Sequence, residues 1–190
     1  MIKINKELLH EMINGGFVVE TKHQSLDIYL YNYTRKCTYE KMWNEVTLIC
    51  RGLILDKNKN IVALPLRKFF NYEEYGTEII ENELRGKKYH VYNKIDGSCG
   101  ILWEFQGHYG IATRGSFESE QAIYATKLLN EKYINKVKEL DTDKFTYVFE
   151  IVFPDNRIVV DYGNLSELIF LEESIKKLVL MKYLRIIYLN

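Results

Sequence analysis

Residues 93–100 read NKIDGSCG, and this stretch separates two segments that have the composition of β-strands. The segment KYHVYNK (88–94) leads into it, and GILWEF (100–105) follows it. Both segments are rich in aromatic and branched apolar side chains, which favour strands, whereas the Asp-Gly-Ser sequence at residues 96–98 is typical of a turn. The stretch therefore predicts two strands that flank a turn, with Lys94 directly beside that turn.

The rest of the chain predicts an α+β fold with mainly antiparallel sheets and flanking helices. An amphipathic helix is expected over residues 5–14, and one long helix over residues 118–140. The other predicted strands are short and include a hairpin with a polar turn; they cover residues 26–33, 52–56, 61–66, 107–113, 145–153, 157–162 and 167–173. No strand–helix–strand rhythm is present, which argues against a parallel sheet. Residues 174–190 fit either a helix or a last pair of strands.

The composition predicts a single globular domain across residues 1–190. Hydrophobic residues make up 47% of the chain and charged residues 27%, and 26 Lys and Arg balance 26 Asp and Glu. Because the net charge is zero, any attraction for a nucleotide or a nucleic acid must come from a local cluster of cations.

Three scattered cysteines, Cys37, Cys50 and Cys99, lack the spacing of a metal site or a disulfide framework. They predict free thiols in a reducing compartment. The N-terminus lacks the apolar core of a signal peptide, and no apolar run reaches the length of a membrane span. We therefore expect a cytoplasmic protein with no membrane partner, and the sequence leaves its oligomeric state open.

Lys94 has two interpretations on chemical grounds. A lysine amine attacks phosphorus only as the neutral base, and neutralising a free lysine at pH 7 costs roughly 4–5 kcal/mol. Desolvation, neighbouring cations or a metal can offset that cost. Strand alternation would place His90, Tyr92 and Lys94 on one face, with Asp96 and the amides of Gly97 and Ser98 in the turn. A surface lysine beside a capped turn explains the same four-residue pattern, so the motif alone decides nothing.

Five other segments accompany this motif in a fixed order. They are YNY (31–33), CRGLILD (50–56), RKFFN (67–71), TRGSFESEQA (113–122) and FEIVFPDNRIVVDY (149–162). With KIDGS (94–98), this set resembles the ATP-dependent RNA ligases of the covalent nucleotidyltransferase superfamily, and among them the phage tRNA-repair ligases that join single-stranded RNA ends. The resemblance covers roughly residues 25–172 and leaves residues 173–190 as a divergent tail.

The resemblance implies a nucleotidyltransferase fold, ATP and Mg²⁺ as cofactors, and RNA ends, single-stranded or in a nicked tRNA, as partners. Lys94 would attack the α-phosphate of ATP and form a lysyl-AMP intermediate with release of pyrophosphate. The AMP would then pass to an RNA 5′-phosphate, and a 3′-hydroxyl would displace it to seal the strand.

The same resemblance implies roles for the residues around Lys94. Arg51 and Lys68 would hold the triphosphate, Tyr31 would contact the nucleotide, and Gly97 and Arg114 would complete the ATP site. Glu150 would contact the ribose or a metal ion, and Asp96 would orient Mg²⁺ through water. Structural interpretations stay open for several of these residues: Arg51 could end a hairpin strand, and Lys68 could lay its stem over Phe69 and Phe70.

Three departures from the family pattern stand out. Arg114 occupies a position where lysine is usual, and Val148 one where many relatives have an aromatic residue that stacks on adenine. Two further motifs, Glu-Gly and Lys-x-Lys, are expected near the C-terminus. The sequence IKKL (175–178) is a poor substitute, because adjacent strand residues point to opposite faces. We therefore expect a chain truncated at its C-terminus.

Three functions remain open from the sequence. The first is a minimal RNA ligase that adenylates Lys94. The second is a non-catalytic remnant that binds a nucleotide or RNA ends. The third is another enzyme with the same Lys-x-Asp-Gly core, either a DNA ligase or a capping guanylyltransferase, against which RKFFN and RGSFESEQA argue.

Overall fold

Two four-stranded antiparallel sheets face each other in the computed structural model, which describes residues 4–71, 74, 85–86 and 93–176. The first sheet has the order β1-β2-β3-β4, with β1 Val18–Lys22, β2 Ile28–Tyr33, β3 Arg51–Asp56 and β4 Ile61–Ala63. The second has the order β6-β5-β7-β8, with β5 Ser98–Phe105, β6 His108–Thr113, β7 Phe145–Val152 and β8 Glu167–Ile175.

The helices are short. They are α1 Lys6–Asn14, α2 Arg35–Tyr39, α3 Glu120–Leu128 and α4 Ile134–Val137, with a π-helical turn at Leu129–Tyr133 and a 3₁₀ turn at Pro154–Asn156. The predicted long helix thus occurs as α3, the π turn and α4. The side chains of Asn5 and Ser119 cap the N-termini of α1 and α3 by accepting backbone N–H groups.

Strand alternation sorts the apolar side chains into three cores. In β3, Leu53 and Leu55 pack toward α1, and Ile54 packs toward the second sheet. In β5, Ile101 faces the first sheet and Leu102 packs toward α3. The layers therefore run helix, sheet, sheet, helix, which confirms the predicted α+β class with antiparallel sheets.

Two local predictions for the residues around the turn are wrong. Residues 157–162, predicted as a strand, form none, and residues 158–160 are bends, because the N–H groups of Val159 and Val160 bind the carboxylate of Asp96 instead of a strand partner. Residues 93–96 have no regular structure, so strand alternation does not orient Lys94. His90 and Tyr92, and most of the predicted tail (177–190), lie outside the described residues.

Cys37, Cys50 and Cys99 are all free thiols, as the sequence predicted. Within the described part of the chain, no helix has both the length and the apolar character needed to cross a bilayer.

Gly52 allows the two sheets to come together at one end. Its φ is +90°, a value that L side chains rarely adopt, and a Cβ there would collide with Cδ1 of Ile101 and lie 3.3 Å from Cα of Arg114. Ile101 is fully buried, so its side chain has no free space to turn into. The glycine therefore lets β3 pass directly beside the end of β6, which places Arg51 and Arg114 in the same region.

We predict that Gly52→Ala lowers the free energy of unfolding by about 2–4 kcal/mol, the sum of backbone strain and overpacking. Gly107→Ala is the matched control, because Gly107 also has a positive φ (+79°) but a Cβ there would meet no atom within 4 Å. The control should lose only about 1 kcal/mol. Urea unfolding measures both, and equal losses would show that the contact between the sheets at Gly52 is not tight.

Candidate functional site

The candidate site lies at the end of the two sheets where β5 begins and β6 and β7 end. Lys94 and Asp96 lie in the irregular segment before β5, and the antiparallel register of β5 with β7 pairs Cys99 with Glu150. On the other sheet, Arg51 is the first residue of β3. The strand register thus gathers residues that are far apart in sequence.

Gly97 joins the Lys94 turn to β7. A Cβ at this position would lie 2.5 Å from the carbonyl oxygen of Ile151 and 3.1 Å from Cγ of Glu150, so only glycine fits without a shift. The N–H of Gly97 donates a hydrogen bond to the Glu150 carboxylate. The predicted nucleotide-site glycine is therefore also the residue that lets the turn rest on Glu150.

Glu150 is a half-buried carboxyl surrounded by charged groups. Burial raises its pKa above the ordinary value, whereas the Lys94 ammonium, the Gly97 N–H and the Arg51 guanidinium all favour the ionised form. The Lys94 side chain is exposed, yet its charge acts on both Glu150 and Asp96. The structure therefore brings Lys94, Asp96, Arg51 and Glu150 into one electrostatic group, as the motifs predicted.

Asp96 holds a second segment in place. Its Oδ2 accepts the N–H groups of Val159 (2.7 Å) and Val160 (2.8 Å), and its own N–H donates to the Tyr162 hydroxyl at 3.0 Å. The hydrogen bonds from Val160 and Val159 lower the pKa of the Asp96 carboxyl. Asp96 is therefore ionised at neutral pH, and one of its oxygens already has two backbone partners.

Three cations, Arg51, Lys68 and Arg114, form a cluster at this end of the sheets. Burial lowers the pKa of the Lys68 ammonium; Glu74 opposes that shift, and Arg51 and Arg114 add to it. The mutual repulsion of Arg51, Lys68 and Arg114 shows that they lie close together, as their predicted shared role requires. Such a cluster favours a polyanion, because a bound negative charge removes the repulsion.

Aromatic rings line the cation cluster. The Arg51 guanidinium lies 4.8 Å from the centre of the Phe69 ring, and the Arg114 guanidinium lies 5.4 Å from that of Tyr33. The Lys68 Nζ lies 5.8 Å from the centre of the Trp43 ring and donates to the carbonyl of Phe69 at 2.6 Å. These contacts hold the aliphatic parts of the Arg51, Lys68 and Arg114 side chains against half-buried apolar surface, so that their charged groups lie at the edge of the site.

Tyr31 does not reach this cluster. Its side chain is fully buried in the core between β2 and α1, and its hydroxyl donates to Glu20 and accepts from Lys59. Burial and the Glu20 carboxylate raise the pKa of the Tyr31 phenol well above its ordinary value. The proposed nucleotide contact through Tyr31 would require this core to open, so the structure does not support it.

Tyr33 is the tyrosine of the YNY segment that reaches the site. Arg114 donates to its hydroxyl at 3.4 Å, and its ring meets the edge of Trp43 with centres 5.2 Å apart. A register shift between Tyr31 and Asn32 separates the two tyrosines, although they are two residues apart on one strand. The sequence did not predict Tyr33 or Trp43 as site residues. The second tyrosine of the YNY segment was the signal that indicated Tyr33.

Val148, the position expected to face the base, is fully buried. It therefore offers no open surface for adenine, in agreement with the departure noted from the sequence.

Asp96 and Glu150 were also predicted to hold a metal ion. Across the residues that the structure describes, no group of three or more His, Cys, Asp or Glu side chains is arranged to do so. The Asp96 carboxylate nevertheless raises the pKa of Glu150 by repulsion. Mg²⁺ commonly binds one or two carboxylates together with substrate phosphates, and this pair fits that requirement.

Comparison with known proteins identifies the family to which this sequence is similar. A family model described as RNA ligase matches residues 49–183, which include every predicted site residue except Tyr31. The chain belongs to the RNA ligase family. This membership favours the predicted RNA ligase resemblance over the DNA ligase and capping-enzyme alternatives.

Individual RNA ligase relatives are similar over most of this chain. An RNA ligase of Rhodothermus phage RM378 is 28% identical over a 173-residue alignment that covers 72% of this chain and 39% of the phage protein. A candidate RNA ligase of Thermovibrio ammonificans is 29% identical over 125 residues, covering 64% of this chain and 32% of that protein. A candidate bifunctional polynucleotide kinase/RNA ligase of Autographa californica nuclear polyhedrosis virus is 26% identical over a 189-residue alignment. That alignment covers 84% of this chain and 27% of the viral protein. The aligned part is thus at most 39% of the length of each relative.

The raised pKa of Glu150 predicts a pH-dependent stability difference. An unfolded Glu loses its proton near pH 4.5, whereas the folded carboxyl holds it to higher pH, so ionisation disfavours the folded state as the pH rises through that range. The free energy of unfolding of Glu150→Gln, relative to that of the wild type, should therefore be higher at neutral pH than at a pH below 4.5. Urea unfolding at both pH values measures the gain, with exposed Glu139→Gln as the control. If the stability difference between Glu150→Gln and the wild type were the same at both pH values, that result would contradict the burial of this carboxyl.

Proposed function

We propose that this chain is the adenylyltransferase part of an ATP-dependent RNA ligase, with Lys94 as the nucleophile. The observation that carries the proposal is the position of the Lys94 ammonium, which acts on the half-buried Glu150 carboxyl while Arg51 acts on the same group. A nucleophilic amine, two carboxylates and a triple-cation cluster thus occupy one end of the molecule. We further propose that residues 1–190 form a single unit for this reaction.

The proposed first step is nucleotidyl transfer to the lysine. The neutral Nζ of Lys94 attacks the α-phosphorus of ATP, a P–N bond forms, and the P–O bond to the β-phosphate breaks. Pyrophosphate leaves with the electron pair of that bond, and the amine proton passes to solvent.

The same three cations would hold the triphosphate. Guanidinium groups suit phosphate oxygens because they offer two parallel donors, and the repulsion within the cluster would be relieved by the bound anion. Arg114 keeps the positive charge of the lysine that is usual at its position, and its contact with Tyr33 fixes where that charge lies. The half-buried rings of Tyr33 and Trp43 lie beside the cluster and would offer stacking surface to a base.

Asp96 and Glu150 would hold Mg²⁺. The ion would offset their mutual repulsion and neutralise negative charge on the triphosphate. Glu150 would keep its hydrogen bond from the Gly97 N–H and so would keep the Lys94 turn on β7.

The later steps would seal RNA 5′-phosphate and 3′-hydroxyl ends, from a single strand or a nicked tRNA. Support comes from membership of the RNA ligase family and from the relatives named as RNA ligases. Because the aligned part is at most 39% of those relatives, their complete activity extends beyond what this chain spans. The three free thiols support a cytoplasmic location.

A second candidate function is nucleotide binding without catalysis. The exposure of the Lys94 side chain favours it, because an exposed amine keeps its hydration and gains little from desolvation. In this case the cation cluster would still bind a triphosphate, and no covalent product would form.

We predict that incubation with ATP and Mg²⁺ adds an AMP-sized mass to Lys94. Intact-mass and peptide mass spectrometry locate the adduct. Lys94→Ala should abolish it, because the change removes the proposed nucleophile, whereas Lys138→Ala, at an exposed lysine after α4, should leave it unchanged.

Two results decide between the candidates. If ATP raises the melting temperature of the folded wild type but no adduct forms up to about pH 9, where more lysine is neutral, the chain binds without catalysis. If ATP neither forms an adduct nor changes the melting temperature, both candidate functions are wrong.

A further inference from the structure

The chain that follows β7 folds back over the Lys94 turn. We call residues 156–162 the clasp segment. Besides the contacts of Asp96 with Val159, Val160 and Tyr162, the hydroxyl of Ser98 donates to Oδ1 of Asn156 at 3.0 Å. The Nδ2 of Asn156 in turn donates to the carbonyl of Ile151 at 2.8 Å. The clasp segment thus binds the turn on both sides of Gly97.

Polar contacts rather than apolar burial hold the clasp segment. Its three consecutive aliphatic side chains, Ile158, Val159 and Val160, are 57%, 75% and 44% exposed. Asn156, by contrast, is a polar side chain that is only 8% exposed, and both ends of its amide have partners. A segment that exposes its apolar residues and buries its amide is built around the hydrogen bonds that it makes with the turn.

The clasp segment anchors backbone that precedes β5 and lies close to Lys94. Ladder pairing of β5 with β7 begins at Ser98, and residues 93–96 have no regular structure. The hydrogen bond from the Asp96 N–H to the Tyr162 hydroxyl fixes a backbone group only two residues from Lys94. Small displacements of a reacting group lower the rates of such reactions strongly, so this anchor bears directly on the position of the amine.

We propose that Tyr162 and Asn156 are positioning residues that hold the Lys94 turn in the geometry required for nucleotidyl transfer. The inference rests on the proposed function. Tyr162 acts through the backbone of Asp96, and Asn156 acts through Ser98 and the end of β7. Neither side chain is assigned a contact with ATP or with RNA.

Tyr162→Phe tests the proposal with minimal change. It keeps the ring and removes the oxygen that accepts the Asp96 N–H. We expect the single-turnover rate of Lys94 adenylation at saturating ATP to fall about tenfold, in line with the loss of one hydrogen bond. The ATP concentration for half-maximal rate should stay unchanged, because the cations that bind the triphosphate are untouched.

Tyr124→Phe is the matched control. The Tyr124 hydroxyl donates to Oγ of Ser166 at 3.0 Å, so this variant also removes a tyrosine hydroxyl that binds the chain between β7 and β8. It leaves the Lys94 turn untouched and should keep the wild-type rate. Ser98→Ala, which removes the donor to Asn156, is the second test variant and should also lower the rate without changing the half-maximal ATP concentration.

Each outcome has one meaning. A slower rate in Tyr162→Phe or Ser98→Ala, at unchanged half-maximal ATP, supports the positioning role. Wild-type rates in both variants, or a fall matched by Tyr124→Phe, overturn it and leave the proposed function intact. Failure of the wild type itself to form the adduct overturns the proposed function and, with it, this inference.

Discussion

The close approach of Gly97 to β7 is the constraint on which the site depends. With no side chain, Gly97 lets the turn lie against the carbonyl of Ile151, and its N–H reaches the Glu150 carboxylate. That contact brings the Lys94 charge next to a carboxyl whose pKa burial has already raised. The pairing of β5 with β7 therefore sets Gly97 against Glu150, and the irregular segment that precedes β5 carries the amine.

A second glycine performs the equivalent task between the sheets. The positive φ of Gly52 and its lack of a Cβ allow β3 to pass beside Arg114, so cations from both sheets meet at one edge. The rings of Tyr33, Trp43 and Phe69 pack against these cations and restrict where their charges lie. The proposed triphosphate site is thus a product of sheet packing, while the proposed nucleophile lies in the irregular segment that Gly97 rests on β7.

The sequence predicted the α+β class and most of the strands because these follow from local pattern, and it predicted the RNA ligase resemblance because that follows from motif order. It failed where the outcome depends on distant partners. Tyr31 and Tyr33 cannot be told apart without the register shift between β2 and β3. Residues 157–162 have the composition of a strand, but the carboxylate of Asp96, more than sixty residues away, takes the amides of Val159 and Val160. Trp43 carries no motif and reaches the site only through tertiary packing.

The position of Lys94 beside Glu150 is the central claim, and carboxyl NMR titration of Glu150 tests it most directly. In the wild type, the pKa of Glu150 should lie above the ordinary value for glutamate. In Lys94→Gln, which removes the positive charge and keeps a polar side chain, that pKa should rise further, because the ionised carboxylate loses a favourable neighbour. An identical pKa in the two proteins would show that the amine lies far from Glu150 and would contradict the account.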